Sequence, residues 1–352
     1  MVVPLLTPAE HGVPFALALQ IIPSRALGPA EARLEAPRGA HALHFLLRGA
    51  ACVALHDAVG GADAQPRGDA DDAAACGLSS GAPGSGGAPL LLRPGDCALS
   101  APGARVSLQP APGGGRDDAV ASLLLVLPSD GDGKDATAAA ATARQWRAGA
   151  RAPALGDAGA AALLRRSAAW ARRAAQPASA AAEEPGTAAP LRRRRLSDAD
   201  VFRLPGQRNR VALLYDPLGA AAVPFTASVE MYDPGHVTPR HTHARGTELF
   251  LILAGAAVAV CDGAAMLLRA GDAVAFPPGA VHALDVPPDA PGRCHALQLL
   301  LPDDAAAFSA FVRSGDGGKE AALDAADLCA LHAATDECPL DAQQPGTVAW
   351  NR

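Results

Sequence analysis

Between Gly235 and Gly255 the chain reads Gly-x5-His-x-His-x4-Glu-x6-Gly, which gathers His241, His243 and Glu248 in one short stretch. Two imidazoles and a carboxylate suit a borderline divalent cation such as Mn, Fe, Ni or Zn. The spacing can converge on one ion. Residues two apart on a strand share a face, so His241 and His243 are expected to point the same way, and the turn from Ala244 to Thr247 returns Glu248 to them. A second stretch, Gly-x5-Pro-x-Gly-x2-His, runs from Gly271 through Pro277 and Gly279 to His282. Its Pro-Gly turn re-aims the chain and offers a fourth ligand. A lone histidine is more often a core or surface residue than a ligand, but four ligand types at this spacing reverse that weighting.

These two stretches resemble the paired signature motifs of the cupin superfamily at nearly every defining position. The resemblance implies an all-β fold built on a small antiparallel, jelly-roll-like barrel, with one divalent metal ion inside it held by His241, His243, Glu248 and His282. The Asn that often closes the second motif is Val286 here, at a variable position that is not a ligand. Between the motifs, Ala257 to Cys261 and Met266 to Arg269 are predicted strands joined at Asp262 and Gly263, a favoured hairpin turn. The run His241-Thr-His-Ala-Arg-Gly-Thr-Glu248 is similar to the germin-type version of the first motif, a manganese oxalate-oxidase family. Mn or Fe is therefore favoured, with Ni or Zn as alternatives.

The N-terminal half repeats the pattern without the ligands. Leu46 to Leu55, with Arg48 and Gly49, resembles the strand-turn-strand around Gly255, and Arg93 to Asp96 with Ala101 to Gly103 resembles the second motif. Both copies end in an aliphatic strand before Leu-Pro, at Pro128 and Pro302. A bicupin is expected: a degenerate barrel over 14–128 and a metal-bearing barrel over 197–302. The first copy is longer because of Ala58 to Ala88, rich in Gly, Ala, Asp, Ser and Pro, which reads as a disordered insertion. Carried through the repeat, Glu35, Pro37, Ala42 and Val106 stand at the four ligand positions, so the first barrel is expected to hold no metal. His41 and His44, three apart on a predicted strand, lie on opposite faces.

The remaining segments are a linker and a tail. Residues 129–196 shift to Ala, Arg, Gly and Pro, with a predicted helix over 157–175 and a basic run from Arg192 to Arg195 that reads as solvated linker. In the tail, 303–352, Asp303 to Arg313 and Glu320 to Ala334 read as two short helices that cover an open barrel end or a partner in a homodimer.

At 352 residues and a net charge of −6, the chain gives no footprint for nucleic acid or a membrane surface, and no helix-turn-helix signal accompanies the barrels. Cys52, Cys76, Cys97, Cys261, Cys294, Cys329 and Cys338 show no paired spacing, so free thiols in a reducing compartment are expected. Met1 to Gln20 lacks a basic n-region and carries Pro4, Pro8 and Pro14 where a signal peptide needs an apolar core. A cytoplasmic location is the expectation, with organellar targeting left open.

Strand alternation suggests an apolar pocket lined by Val229, Phe250, Ile252, Phe276, Val281 and Leu297, with few acid or base groups beside the metal. Arg240 is expected outside, Thr238 is out of phase with the ligands, and Arg245 is a candidate carboxylate clamp whose plainer reading is a solvated turn arginine. His236 and His295 read as bulk or surface residues, with a supporting role behind the ligands as the alternative. The expected activity is that of a metal-dependent oxygenase or oxidase acting on a small organic acid or diol-like molecule. The alternatives are a non-catalytic ligand-binding cupin and a cupin isomerase, because fold does not choose among them.

Overall fold

The computed structural model describes residues 2–6, 14–22, 33–35, 40–57, 76, 89–111, 120–128, 191–204, 207, 209–301, 304–314, 319–320, 323 and 327. Contacts divide the chain into two units, residues 1–130 with 134–195, and 131–133 with 196–352. The expected helix over 157–175 and, apart from Cys76, the Ala58 to Ala88 insertion lie outside the described residues. Among the described residues no helix is long and apolar enough to cross a membrane.

The first unit contains β1 (Val2–Leu6), β2 (Ala16–Ile22), β3 (Arg33–Glu35), β4 (Ala40–Arg48), β5 (Ala51–Asp57), β6 (Leu90–Leu92), β7 (Cys97–Ser100), β8 (Arg105–Pro110), β9 (Val120–Pro128) and β10 (Leu191–Arg194). They form a six-stranded sheet, β1-β2-β9-β4-β7-β10, and a four-stranded sheet, β3-β8-β5-β6. Leu46, Ala98 and Val120 from the first sheet meet Val53, Leu55, Val106 and Leu108 from the second in one buried cluster. Two elements extend beyond the expected 14–128: β1 pairs with β2, and β10 pairs with β7. The Arg192 to Arg195 run is thus not plain linker, since its first three arginines lie on β10 and Arg193 donates to the Leu91 carbonyl at 3.0 Å.

The second unit contains β11 (Asp200–Arg203), β12 (Asn209–Tyr215), β13 (Thr226–Tyr232), β14 (Thr247–Ala254), β15 (Ala256–Cys261), β16 (Ala264–Arg269), β17 (Ala273–Phe276), β18 (His282–Asp285), β19 (Cys294–Leu301), helix α1 (Ala305–Arg313) and β20 (Lys319–Glu320). A seven-stranded sheet, β17-β14-β19-β13-β12-β11-β20, accompanies a three-stranded sheet, β16-β15-β18. All pairings that involve β14 and β15 are antiparallel. The β15–β16 hairpin turns at Asp262 and Gly263, both at positive φ as a two-residue turn requires. Helix α1 matches the first expected tail helix, whereas Glu320, assigned to the second, belongs to β20 and pairs with Val201.

The internal repeat is written in hydrogen bonds. Leu46 N donates to Asp96 O and Gly95 N to Leu46 O at 2.9 and 2.7 Å; Ile252 N donates to Asp272 O and Gly271 N to Ile252 O at 3.0 and 2.8 Å. Gly49 and Gly255 share positive φ, and at Gly255 a Cβ would lie 2.5 Å from the Arg293 carbonyl oxygen, so only glycine fits. Register moves one expected equivalence by a residue: Leu34, not Glu35, stands opposite Val106 as His241 stands opposite His282.

The cysteine reading is corrected. Cys52 and Cys76 form a disulfide across 24 residues of sequence, and both sit in a buried cluster with Ala50, Leu91 and Ala111. Nothing in the spacing announced this pair, because the sequence between the two cysteines carries no pattern of its own. Among the described residues, Cys97, Cys261 and Cys294 are not in disulfides. The disulfide removes the argument for a reducing compartment.

Asp327 is fully buried and accepts from Arg210 at 2.6 Å, His295 at 3.0 Å and Arg293 at 3.1 Å. His295 is therefore neither bulk filler nor a surface residue. Burial opposes the Asp327 charge, but the His295 hydrogen bond and the two guanidinium groups outweigh it and hold the carboxyl at about 2.

Two outcomes follow from these contacts. Cys52→Ser should lower stability in urea by about 3 kcal/mol, and reductant should do the same to the wild type; an unchanged midpoint in both would contradict the bond. Asp327→Ala, which strands the buried Arg210 guanidinium, should cost about 3–5 kcal/mol. The Asp327 pKa is depressed, so its contribution is full above the ordinary 3.8 and is lost as pH falls toward 2. The gap between wild type and variant should narrow in that window when unfolding is followed against pH.

Candidate metal centre

Glu248 opens the inward phase of β14, where Glu248, Phe250 and Ile252 alternate with Leu249 and Leu251. It stands opposite Phe276 on β17 and Leu300 on β19. His282 begins β18 opposite Cys261 of β15, and it is bridged to His241 by His241 N to His282 O at 3.2 Å and His282 N to His241 O at 2.9 Å. Beyond that bridge the segment carrying His241 and His243 is not a strand, contrary to expectation. His243 is placed instead by its carbonyl, which accepts from Gly279 N at 2.8 Å in the Pro-Gly turn.

The ligand atoms of His241, His243, Glu248 and His282 all lie within 4.8 Å of one another. Three imidazole Nε2 atoms face one oxygen, Glu248 Oε2, at 3.8 Å from His241, 3.7 Å from His243 and 2.8 Å from His282. The tautomers are set from behind. His241 Nδ1 lies 2.9 Å from the Pro239 carbonyl and His282 Nδ1 lies 2.9 Å from the Ala280 carbonyl. Because a carbonyl can only accept, each ring carries a proton on Nδ1 and turns Nε2 inward. His243 Nε2 is buried without a hydrogen-bond partner, the state of a donor atom awaiting an electrophile. The group therefore fits a metal ion.

The other carboxylate oxygen, Glu248 Oε1, accepts from Gln298 Nε2 at 2.9 Å, and Gln298 Oε1 accepts from Ser228 at 2.8 Å. Burial would push the Glu248 carboxyl up, yet the His243 and His282 imidazoles and the Gln298 amide hold it at about 2. Burial pulls His241 down, whereas at His282 the Glu248 partner overcomes burial and raises it. The Phe276 ring stacks on His282 with centroids 4.4 Å apart. The His241 side chain is 38% exposed and that of His282 1%, so the group opens to solvent on the His241 side.

The expected lining is half right. Phe250, Ile252 and Phe276 belong to the inward cluster. Val229 pairs with Leu297, which pairs with Leu251, so both lie on the reverse face, and Val281 is 47% exposed. The inward phase of β13 is Ser228, Glu230 and Tyr232, and both faces of that strand are buried, which hid the phase from apolar patterning. Glu230 accepts from the Tyr232 hydroxyl at 2.6 Å and from Asn209 Nδ2 at 3.1 Å. Burial, opposed by those two donors and reinforced by the Glu248 charge, raises the Glu230 carboxyl to about 7.

Arg240 lies outside as expected, forked onto both oxygens of Asp285 at 3.1 and 2.8 Å. Thr238 donates to the Leu284 carbonyl at 2.6 Å and accepts from His236 Nε2 at 2.9 Å, so His236 is a buried brace for the loop that leads to His241. Arg245 sits exposed on the turn.

Glu230 generates a pH test on metal-free protein. A carboxyl whose folded pKa is raised stabilises below its ordinary 4.5, and that contribution is lost as pH rises through about 7. Glu230→Gln should flatten the fall in stability across this window, measured by urea unfolding at successive pH values. A wild-type advantage that grows with pH would contradict the protonated carboxyl.

Residues 228–298 match the cupin domain family. A search of curated proteins finds no match. Among solved structures the chain is similar to the formate complex of oxalate decarboxylase from Lactobacillus farciminis, at 14% identity over 86% of this chain and 81% of that one, TM-score 0.47. It is similar to a variant of oxalate decarboxylase from Bacillus subtilis, at 16% identity over 85% and 72%, TM-score 0.48. A cupin 2 conserved barrel domain protein from Leptotrichia buccalis shares 8% identity over 86% and 88%, TM-score 0.41. The family match takes in both motifs and all four converging side chains, inside a two-sheet antiparallel barrel, and on that ground residues 228–298 belong to a cupin domain.

Proposed function

We propose that His241, His243, Glu248 and His282 hold one divalent ion, Mn or Fe first and Ni or Zn as alternatives. We further propose that the protein is an oxygenase or oxidase acting on a small organic acid or diol-like molecule. The carrying observation is the convergence of three Nε2 atoms on one carboxylate oxygen, with tautomers supported by the Pro239 and Ala280 carbonyls. These four side chains would hold the ion, which would supply Lewis-acid chemistry and, as Mn or Fe, redox chemistry when bound. Around it the chain's own residues orient and exclude: Gln298 turns the Glu248 carboxylate, and Phe276 shields His282 from water. An isomerase is the second reading, favoured by Glu230, a carboxyl near neutrality on the same inward face.

Elemental analysis of protein purified without chelators should find about one Mn or Fe per chain, with oxygen consumed in the presence of a small dicarboxylate or diol. Zn would favour the isomerase or the non-catalytic binding reading, since it has no redox chemistry, and protein that rejects every divalent ion would overturn the proposal. His241→Ala should abolish turnover and shift apo unfolding by no more than about 0.5 kcal/mol, because that side chain is 38% exposed. Gln298→Leu keeps all four ligands but frees Glu248 Oε1, and should weaken metal affinity by about 10–100-fold in a competition titration.

A further inference from the structure

His44 lies in the middle of β4, fully buried, and neither of its ring nitrogens has a hydrogen-bond partner. Burial lowers its pKa to about 4, so near neutral pH the ring offers one N–H donor and one lone pair. Leaving a buried polar group unmet costs about 1–3 kcal/mol, and native interiors rarely tolerate it. Register shows where the ring points. His44 alternates with Ala42 and Leu46, and Leu46 packs with Ala98, Val106 and Leu108 between the two sheets of the first unit. The imidazole therefore projects into that barrel.

The surrounding layer is built from short side chains. Pairing places Ala42 and Ser100 where the second unit has Glu248 and Phe276, and Val106 where it has His282. His44 itself stands where the second unit has Phe250, opposite Ala98 and Leu124. With Ala42 and Val106 at two of the ligand positions the described residues offer a metal no donor set there, and a neutral imidazole among Ala42, Leu46, Ala98 and Leu124 does not select an anion. Ser122 and Gln20, hydrogen-bonded to each other at 3.3 Å, add polar atoms on the same inward face, one step further along β9 and β2.

We propose that the interior of the first barrel binds a small uncharged hydroxyl-bearing molecule, with His44 as its hydrogen-bonding anchor. A hydroxyl accepts from the ring N–H and donates to a ring lone pair, and its carbon skeleton meets the alanines and leucines around it. The site is separate from the metal centre and stands or falls without it.

The test uses the full chain with 15N-labelled histidine rings and propane-1,2-diol as probe. The His44 nitrogens should shift saturably as the diol is added, and Tm should rise. His44→Phe, which installs the ring type found at Phe250, should remove both responses, while His282→Ala should leave both intact. A Tm rise of equal size in wild type and His44→Phe, or a response lost only in His282→Ala, would overturn the proposal. So would probe-free His44 nitrogens already hydrogen-bonded to water and indifferent to the diol. If His44→Phe does not fold, His44→Gln provides the assignment and the wild-type ring titration decides.

Discussion

Glu248 divides its carboxylate between two tasks. One oxygen is fixed by Gln298, itself held by Ser228, and the other is left to face three imidazoles. The rest of the second unit is arranged to make that division possible. The inward phase of β14 puts Glu248 in the core beside Phe276, and β19 and β13 supply the amide and hydroxyl that keep it from turning. The carbonyls of Pro239 and Ala280 do for the imidazoles what Gln298 does for the carboxylate. A buried charge is tolerated here because Gln298 donates to one oxygen and His282 Nε2 meets the other at 2.8 Å.

The two units show what becomes of such a barrel when the charged layer is absent. The turns survive with the same hydrogen bonds around Leu46 and Ile252, and the same positive φ at Gly49 and Gly255, because backbone closure does not depend on what fills the interior. The interior is rebuilt with Ala42, Ser100 and Val106, side chains that carry no charge, and the Ser100 hydroxyl is met by the Ala42 carbonyl of the adjacent strand.

Spacing alone singled out the four residues that meet in the second unit, since His-x-His, a turn and a Pro-Gly reversal are local devices legible one segment at a time. The hairpin at Asp262 and Gly263 was legible for the same reason. What escaped was non-local. The inward phase of β13 depends on its register with β19, and both of its faces are buried, so alternation points to Val229 as lining and passes over Glu230 and Tyr232. The partner of Cys52 and the three donors around Asp327 come from segments far apart in sequence, where no periodic pattern links them. The shift from Glu35 to Leu34 has the same origin, because strand pairing and not glycine spacing sets the match.

Asp304 occupies the N-cap of α1, where an aspartate commonly accepts from its own helix, but it makes no such bond. Its carboxylate instead accepts from Gly246 N at 3.1 Å and lies 3.8 Å from His243 Nδ1. Gly246 permits this approach, since a Cβ there would come within 3.1 Å of the same oxygen. The helix gives up its own cap to brace the turn between the second histidine and the glutamate. The functional module is therefore larger than the barrel: a fragment ending with β19 would retain all four convergent side chains and lose the group that sets the geometry between two of them.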